Sequence, residues 1–375
     1  MGNNNITKRV NEYLGTNYKG LITKKQWEDI SEHQKLSESF IREFQDKVSW
    51  GIISVHQNLS EDLIRDFQDK VDWAKISEYQ NLSEDFIRDF QDKVDWYWIS
   101  SHQKLSKSFI REFQDEVDWS RISIYQKLSE DFIRNFQDKV SWRLILEHQK
   151  LSEPFIREFQ DKVKWGLISE YQNLSEDFIR EFQDKVNWRC ILMYQKLSES
   201  FIREFQNNVI WRYISMYQKL SESFIREFQD KVAWGRISTH QKLSNEFIEE
   251  FKDRLNLNKI KESWHYKTTE EKKQAVIATE LYECHEDYFI AYKGIRSDRY
   301  SNYNFQYKYE KGGTYESWCD TSNDENSFGL SVWDEPNARR YCDELMVKVK
   351  VNYEDVGRVV HNGGKIRCFK IKILE

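Results

Sequence analysis

The sequence predicts a mainly α protein, an α-solenoid of ten 23-residue two-helix repeats followed by a small α+β C-terminal domain. Three observations carry this. A tryptophan recurs every 23 residues without an insertion, at Trp27, Trp50, Trp73, Trp96, Trp119, Trp142, Trp165, Trp188, Trp211 and Trp234. Within each period the apolar residues keep helical spacing. From about Thr279 the period stops and strand-like segments begin. A fixed period of this length means stacked supersecondary units, each burying its apolar face against its neighbours.

Residues 1–26 are polar, with scattered apolar positions at Ile6, Val10, Tyr13, Leu14, Leu21 and Ile22. They are expected to form an amphipathic N-terminal cap, because the first unit of a stack needs a polar outer side. The array itself spans 27–256.

The unit that ends at Asp95 shows why each repeat is two helices. Phe86, Ile87, Phe90 and Val94 stand at i, i+1, i+4 and i+8, a helical stripe. Ser83 precedes it as an N-cap, and Glu84 and Asp85 occupy the first turn, where the helix dipole favours acids. Leu82 and Ile87 have the spacing of a hydrophobic staple. The pattern then repeats with Val94, the cap Asp95, Trp96 and Ile99, giving a second helix of about two turns. Helices this short are marginal alone, so Leu, Phe, Ile, Val and Trp must pack between units. The Leu-x-x-Leu-x-Leu signature is absent, which excludes a leucine-rich repeat.

Three columns of the array bear on function. Gln103, Ser106, Arg111, Gln114 and their equivalents form a near-constant polar set, read as a solvated ladder along the helices. The competing reading is a repeating grip on an extended polymer or peptide. Six residues after each tryptophan stands His or Tyr (His33, Tyr79, His102 and Tyr125 among them), and this exchange argues for core packing over metal binding or pH sensing.

The third column varies. Offsets 1, 2 and 5 from each tryptophan share one face of the second helix and differ from repeat to repeat. They define a candidate recognition strip containing Tyr97, Trp98, Arg121, Leu144, Arg189, Met193, Arg212, Tyr213 and Met216. Aromatic, Arg and Met side chains are the types that anchor interfaces. Neutral drift on a solvent face is the competing account.

At 257–278 Leu257 takes the tryptophan slot, and the segment reads as a C-terminal cap and connector. In 279–375, strand signals occupy Tyr288–Lys293, Asn304–Tyr309, Phe328–Trp333, Leu345–Val351 and Ile366–Leu374. Asp334–Tyr341 reads as a short capped helix.

Composition narrows the function classes. A net charge of −6, with acids and bases mixed along the repeats, leaves no basic footprint for nucleic acid. No run has the length of a membrane span. The polar start is not a secretory signal, and Ile6 stands where N-myristoylation after Gly2 needs Ser or Thr. Cys190, Cys284, Cys319, Cys342 and Cys368 form no Cys-x-x-Cys pair, so reduced thiols in a cytoplasmic setting are expected, and Cys284-His285 is too sparse for zinc. No P-loop, dinucleotide-binding glycine motif or His-Glu-x-x-His occurs, and no cofactor is expected. Cys319, His361 and Asp320 would make a thiol nucleophile, base and orienter only if the fold assembled them. An ADP-ribosyltransferase-like site would use Arg296 and, by position, Glu354.

Tyr292-Lys293 with Arg296, Phe305-x-Tyr307, Gly313-x-Tyr315-Glu316, Cys319-Asp320, Phe328-Gly329-Leu330, Val347-Lys-Val349 and Gly364-Lys-Ile-Arg367-x-x-Lys370-Ile371 resemble a small C-terminal domain that follows repeat arrays in proteins of giant DNA viruses (mimivirus relatives) and some phages. The array also resembles the short helical repeats of those proteins. The resemblance covers most of the chain, and the family brings no established activity. It implies a viral origin, with host cytoplasm or the virion as the setting, and a binding role. The sequence thus points to a non-enzymatic scaffold with a protein partner; the alternatives are a C-terminal enzyme with the array as targeting arm, or a structural virion component.

Overall fold

The computed structural model describes residues 3–301, 304–325, 327–342 and 344–374. The chain forms two compact units, Met1–Ile145 and Leu146–Glu375.

The first unit opens with the helix Asn3–Leu14, which buries Val10 and Thr7. Tyr13 packs edge-on against Phe40 at 5.5 Å, and Arg9 pairs with Glu43 at 2.6 Å. Lys24–His33, started by a Thr23/Gln26 capping box, carries the first tryptophan. Helix pairs then follow with the expected period, for example Glu84–Asp89 and Trp96–His102. Ser83 Oγ accepts the Phe86 N–H at 3.1 Å, and Asp95 accepts from the N–H groups of Tyr97 and Trp98. Between the two helices the chain turns, with the Val94 N–H donating to Phe90 O at 3.0 Å.

Most repeats contribute one Phe and two Ile to the interior, with Leu63 in the phenylalanine position of one repeat: Phe86, Ile87 and Ile99 are 0–1% exposed. The tryptophans sit at its edge. Trp27 is buried, but the later ones are half-buried, lying on a phenylalanine of the next helix (Trp73 to Phe90, 4.9 Å) while the indole N–H donates outward to a turn carbonyl (Trp73 to Gln68 O, 2.8 Å).

The Gln103 column, expected at the surface, is interior instead, and a serine column joins it there. Gln103 is 6% exposed. Its amide nitrogen donates to Ser77 O and Gln80 O of the preceding repeat, and its oxygen accepts the Leu82 N–H at 3.0 Å. Gln57 and Gln80 do the same in the first unit, as do Gln172, Gln195, Gln218 and Gln241 in the second. Ser77 Oγ donates to Trp73 O and accepts the Asp95 N–H, again joining neighbours. These side chains satisfy the backbone groups that short helices leave open. The arginine column is the solvated ladder the sequence predicted: Arg88 reaches Glu112 at 3.0 Å and Arg180 reaches Glu204 at 2.9 Å, each guanidinium near the ring of a phenylalanine in the next repeat.

The column read as core aromatic is corrected. His33, His56, Tyr79, His102 and Tyr125 are exposed, Tyr79 at 50%. They end the second helix on its outer side, while the next residue, the glutamine, turns inward.

In the second unit the repeats run on through Leu257–Glu262, and Tyr266 replaces the missing glutamine by accepting the Leu243 N–H at 2.9 Å. The helix Thr269–Ile277 follows, capped by the Thr268/Glu271 box. Beyond it lie β1 (Glu283–Cys284), β2 (Tyr288–Ile295), β3 (Tyr300–Ser301), β4 (Asn304–Lys308), β5 (Thr314–Glu316), β6 (Leu330–Trp333), β7 (Leu345–Asn352), β8 (Val356–Val360), β9 (Lys365–Cys368) and β10 (Lys370–Ile373). The main sheet is antiparallel with order β5-β10-β7-β2-β6-β9-β8, and β1 adds to β2; β3 and β4 form a separate ribbon. Its centre is the β2–β7 pair, in register from Tyr288↔Asn352 to Ile295↔Leu345. Phe289, Ala291, Val347, Val349 and Ile366 supply the core, joined by Trp264 and Val276 of the connector.

The helix Glu335–Tyr341, N-capped by Asp334, lies on β2. Gly294 permits this, because a Cβ there would collide with the carbonyls of Ala338 and Cys342. The stretch Ile366–Leu374, expected as one strand, is two: the Phe369 N–H leaves the ladder to donate to Asp355 O, and the chain passes from β9, beside β6, to β10, beside β7.

Candidate functional site

The variable strip occupies the outer side of the second helices, and in the first unit it forms a connected cluster. Tyr97, 39% exposed, meets Trp98 edge-on at 4.9 Å. The Arg121 guanidinium lies 4.1 Å from the Tyr97 ring centre and reaches its hydroxyl. Trp98 in turn packs against His102 at 5.2 Å. Three of the predicted residues from two repeats therefore make one aromatic and cationic patch, held together before any partner arrives. Stacking and cation–π contacts of this kind keep large rings ordered at the surface.

Leu144 does not belong to that surface. It is 7% exposed, so its aliphatic group has already left water and has little area to give a partner.

In the second unit Arg189 and Arg212 are exposed, and Met193, Tyr213 and Met216 are half-buried. Arg189 lies 5.7 Å from the Tyr213 ring, which stacks on Tyr217 at 5.8 Å. Here the strip borders a contact that sequence reading did not find. The β-rich part of this unit docks along the ends of the second helices, at offsets 5, 6 and 8 from the tryptophans. Arg296 donates to His148 O at 2.5 Å, Lys150 to the Tyr300 hydroxyl at 3.0 Å and Lys196 to the Tyr307 hydroxyl at 2.6 Å. Phe328 meets Tyr217 edge-on at 5.4 Å. The docking ends at His240, the one member of its column that is fully covered, 3.0 Å from Asp320.

Asp320 and Arg367 are both fully buried, with the guanidinium 3.4 Å from the carboxylate and also donating to Ser322 O. Burial alone would raise the Asp320 carboxyl, but the His240 ring close beside it and the hydroxyls of Ser327 and Ser322 outweigh burial and hold the group well below the usual carboxylate range. Beside it, His265 stacks on Trp318 at 5.0 Å and Phe369 at 5.1 Å, and its Nε2–H donates to His240 O. Burial pushes this imidazole down to about 4.

The candidate catalytic groups are each engaged elsewhere. Cys319 is buried against Gly329 and Gly357, and burial pushes its thiol up to about 12, whereas His361 is exposed and pairs with Glu325. Asp320 serves Arg367 and His240. Arg296 is spent on His148 and Asp298, while Glu354 stands exposed on the turn before β8. Lys293, held near 8 by burial, donates to Ser331 O and is enclosed by Tyr309 and Trp333. The five cysteines are free, and among the described residues no group of three His, Cys, Asp or Glu side chains could hold a metal ion. Among them, too, no helix is long and apolar enough to cross a membrane.

The docking partners His240, Asp320 and Arg367 carried no sequence signal as a set, being separated by 80 and 47 residues. The buried glutamines carried no signal of their own either, because the column of the exposed Gln91 recurs almost as regularly.

Comparison of the chain with protein-family models, with curated proteins and with solved structures gives no match.

Proposed function

We propose that this protein is a non-enzymatic interaction scaffold whose array binds a protein partner through the variable side of its second helices. The observation that carries the reading is the Tyr97–Trp98–Arg121 patch: large interface-type side chains, ordered by one another and open to solvent, on a solenoid face that varies while its interior does not. The β-rich part serves as a second docking module through surfaces other than the loops and ribbon that already meet the repeats.

The test is capture from lysate by the full chain and by a Tyr97→Ala/Trp98→Ala/Arg121→Glu variant, read by mass spectrometry. A protein retained by the first and lost by the second, with the helical circular dichroism unchanged, supports the reading. Identical captures, or none, would remove the patch from it.

A further inference from the structure

We infer that the C-terminal end of the array carries a cleft for an acidic peptide segment of a partner protein. The inference rests on the scaffold reading above and gives the chemistry of what this part of the strip takes. The cleft is lined by Arg212, Ala233, Trp234, Gly235, Arg236 and Lys259. Its three cations come from three successive repeats and lie at offsets 1 and 2, on the variable side.

No ion pair among the described residues neutralises these cations, although many other bases of the array are paired, as Lys70 is with Asp46 at 2.8 Å, Lys75 with Glu78 at 3.3 Å and Arg203 with Glu227 at 2.8 Å. Among the described residues Arg212, Arg236 and Lys259 enter no ion pair. The acids that would offset them are also missing. The residue before the tryptophan is Asp72, Asp95 and Asp118 in three repeats of the first unit and serine (Ser49, Ser141) in two others, but Asn187, Ile210, Ala233 and Asn256 here. Two acids of the β-rich part, Asp320 and Asp324, bear on Tyr217, and Asp320 is already held by Arg367 and His240.

Shape and spacing match an extended chain. A Cβ on Gly235 would meet nothing within 4 Å, which leaves room for a backbone beside the half-buried ring of Trp234. Successive repeats bring their cations about 10 Å apart, the rise of about three residues of extended peptide. Carboxylates at roughly every third position would therefore meet one cation each. A nucleic acid needs a longer basic track than this, and the neighbouring Arg–Glu ladder supplies as much negative charge as positive.

The test is fluorescence anisotropy with the full chain and a labelled oligo-glutamate of about 12 residues, against the oligo-glutamine of equal length and an oligothymidylate. Oligo-glutamate is expected to bind, oligo-glutamine not, and added salt to weaken binding. Arg212→Glu/Arg236→Glu/Lys259→Glu should lower the affinity at least about tenfold, and the triple Gln variant, which spares the fold the charge reversal, should fall in between. Equal binding of oligo-glutamate and oligo-glutamine, no binding of oligo-glutamate, or full affinity in the triple Gln variant would each overturn the proposal. So would tighter binding of oligothymidylate through the same residues. The Tyr97→Ala/Trp98→Ala/Arg121→Glu variant separates the two readings: it should bind oligo-glutamate as the wild type does, whatever becomes of its lysate partner.

Discussion

Nδ1 of His240 lies 3.0 Å from a carboxylate oxygen of Asp320, and neither side chain reaches solvent. The last full repeat is thereby tied to the β-rich part through a carboxylate whose other oxygen faces the buried Arg367. Asp320→Asn would leave that guanidinium without its counter-charge. The expected loss is about 3–5 kcal/mol, read as a lower urea midpoint for the second unit. A midpoint within error of the wild type would mean that the buried charges are not coupled to folding.

His265 makes a pH prediction. Its folded value of about 4 lies below the ordinary imidazole value of 6.5, so the unfolded chain binds the extra proton between them. The stability this confers is complete above about pH 6.5 and is lost as pH falls towards 4. Because part of the ring is exposed, the effect should be on the order of 2 kcal/mol. His265→Phe should flatten the stability profile across that window; an unchanged slope would assign it to other groups.

Gln103 tests the interior ladder. Gln103→Leu removes the partners of Ser77 O, Gln80 O and the Leu82 N–H in one step. A loss of about 3 kcal/mol or more is expected from three buried groups left unsatisfied. Gln91→Leu, at an exposed site, should stay within about 0.5 kcal/mol. Equal costs at the two sites would place Gln103 outside the interior.

Trp119 bounds the contribution of the repeat tryptophans. It lies on Phe136 at 5.0 Å and its indole N–H donates to Gln114 O at 2.9 Å, but it is only half-buried. Trp119→Ala should therefore cost about 3 kcal/mol, the low end for a buried aromatic. Trp119→Phe, which keeps the packing and loses the donor, should cost about 1 kcal/mol. Both are read by thermal or urea unfolding of the full chain.

Much of the architecture was legible because its signals are local. Ser83 before Phe86, or Phe86, Ile87 and Phe90 in one stripe, are relations within two helical turns, and backbone geometry turns such spacing directly into a cap and a buried face. The strand runs at Tyr288, Leu345 and Ile366 were legible for the same reason, as was the capped helix after Asp334. The site was legible only in part. Offsets 1, 2 and 5 share a helix face by geometry alone, which is why Tyr97, Trp98 and Arg121 meet; Leu144 has the same offset and is buried.

What only the tertiary structure decided are the relations that reach the next repeat or beyond. Gln103 looks like a surface residue on its own helix, and it is interior because the backbone groups it satisfies belong to the repeat before. His56 and His240 hold the same slot in similar surroundings of sequence, yet one is exposed and the other buried, since covering a side chain depends on which distant segment packs over it. Local spacing determined the helices, their caps and the face each presents; the contacts of Asp320 with His240 and Arg367, set by chain closure over 80 and 47 residues, were decided in three dimensions.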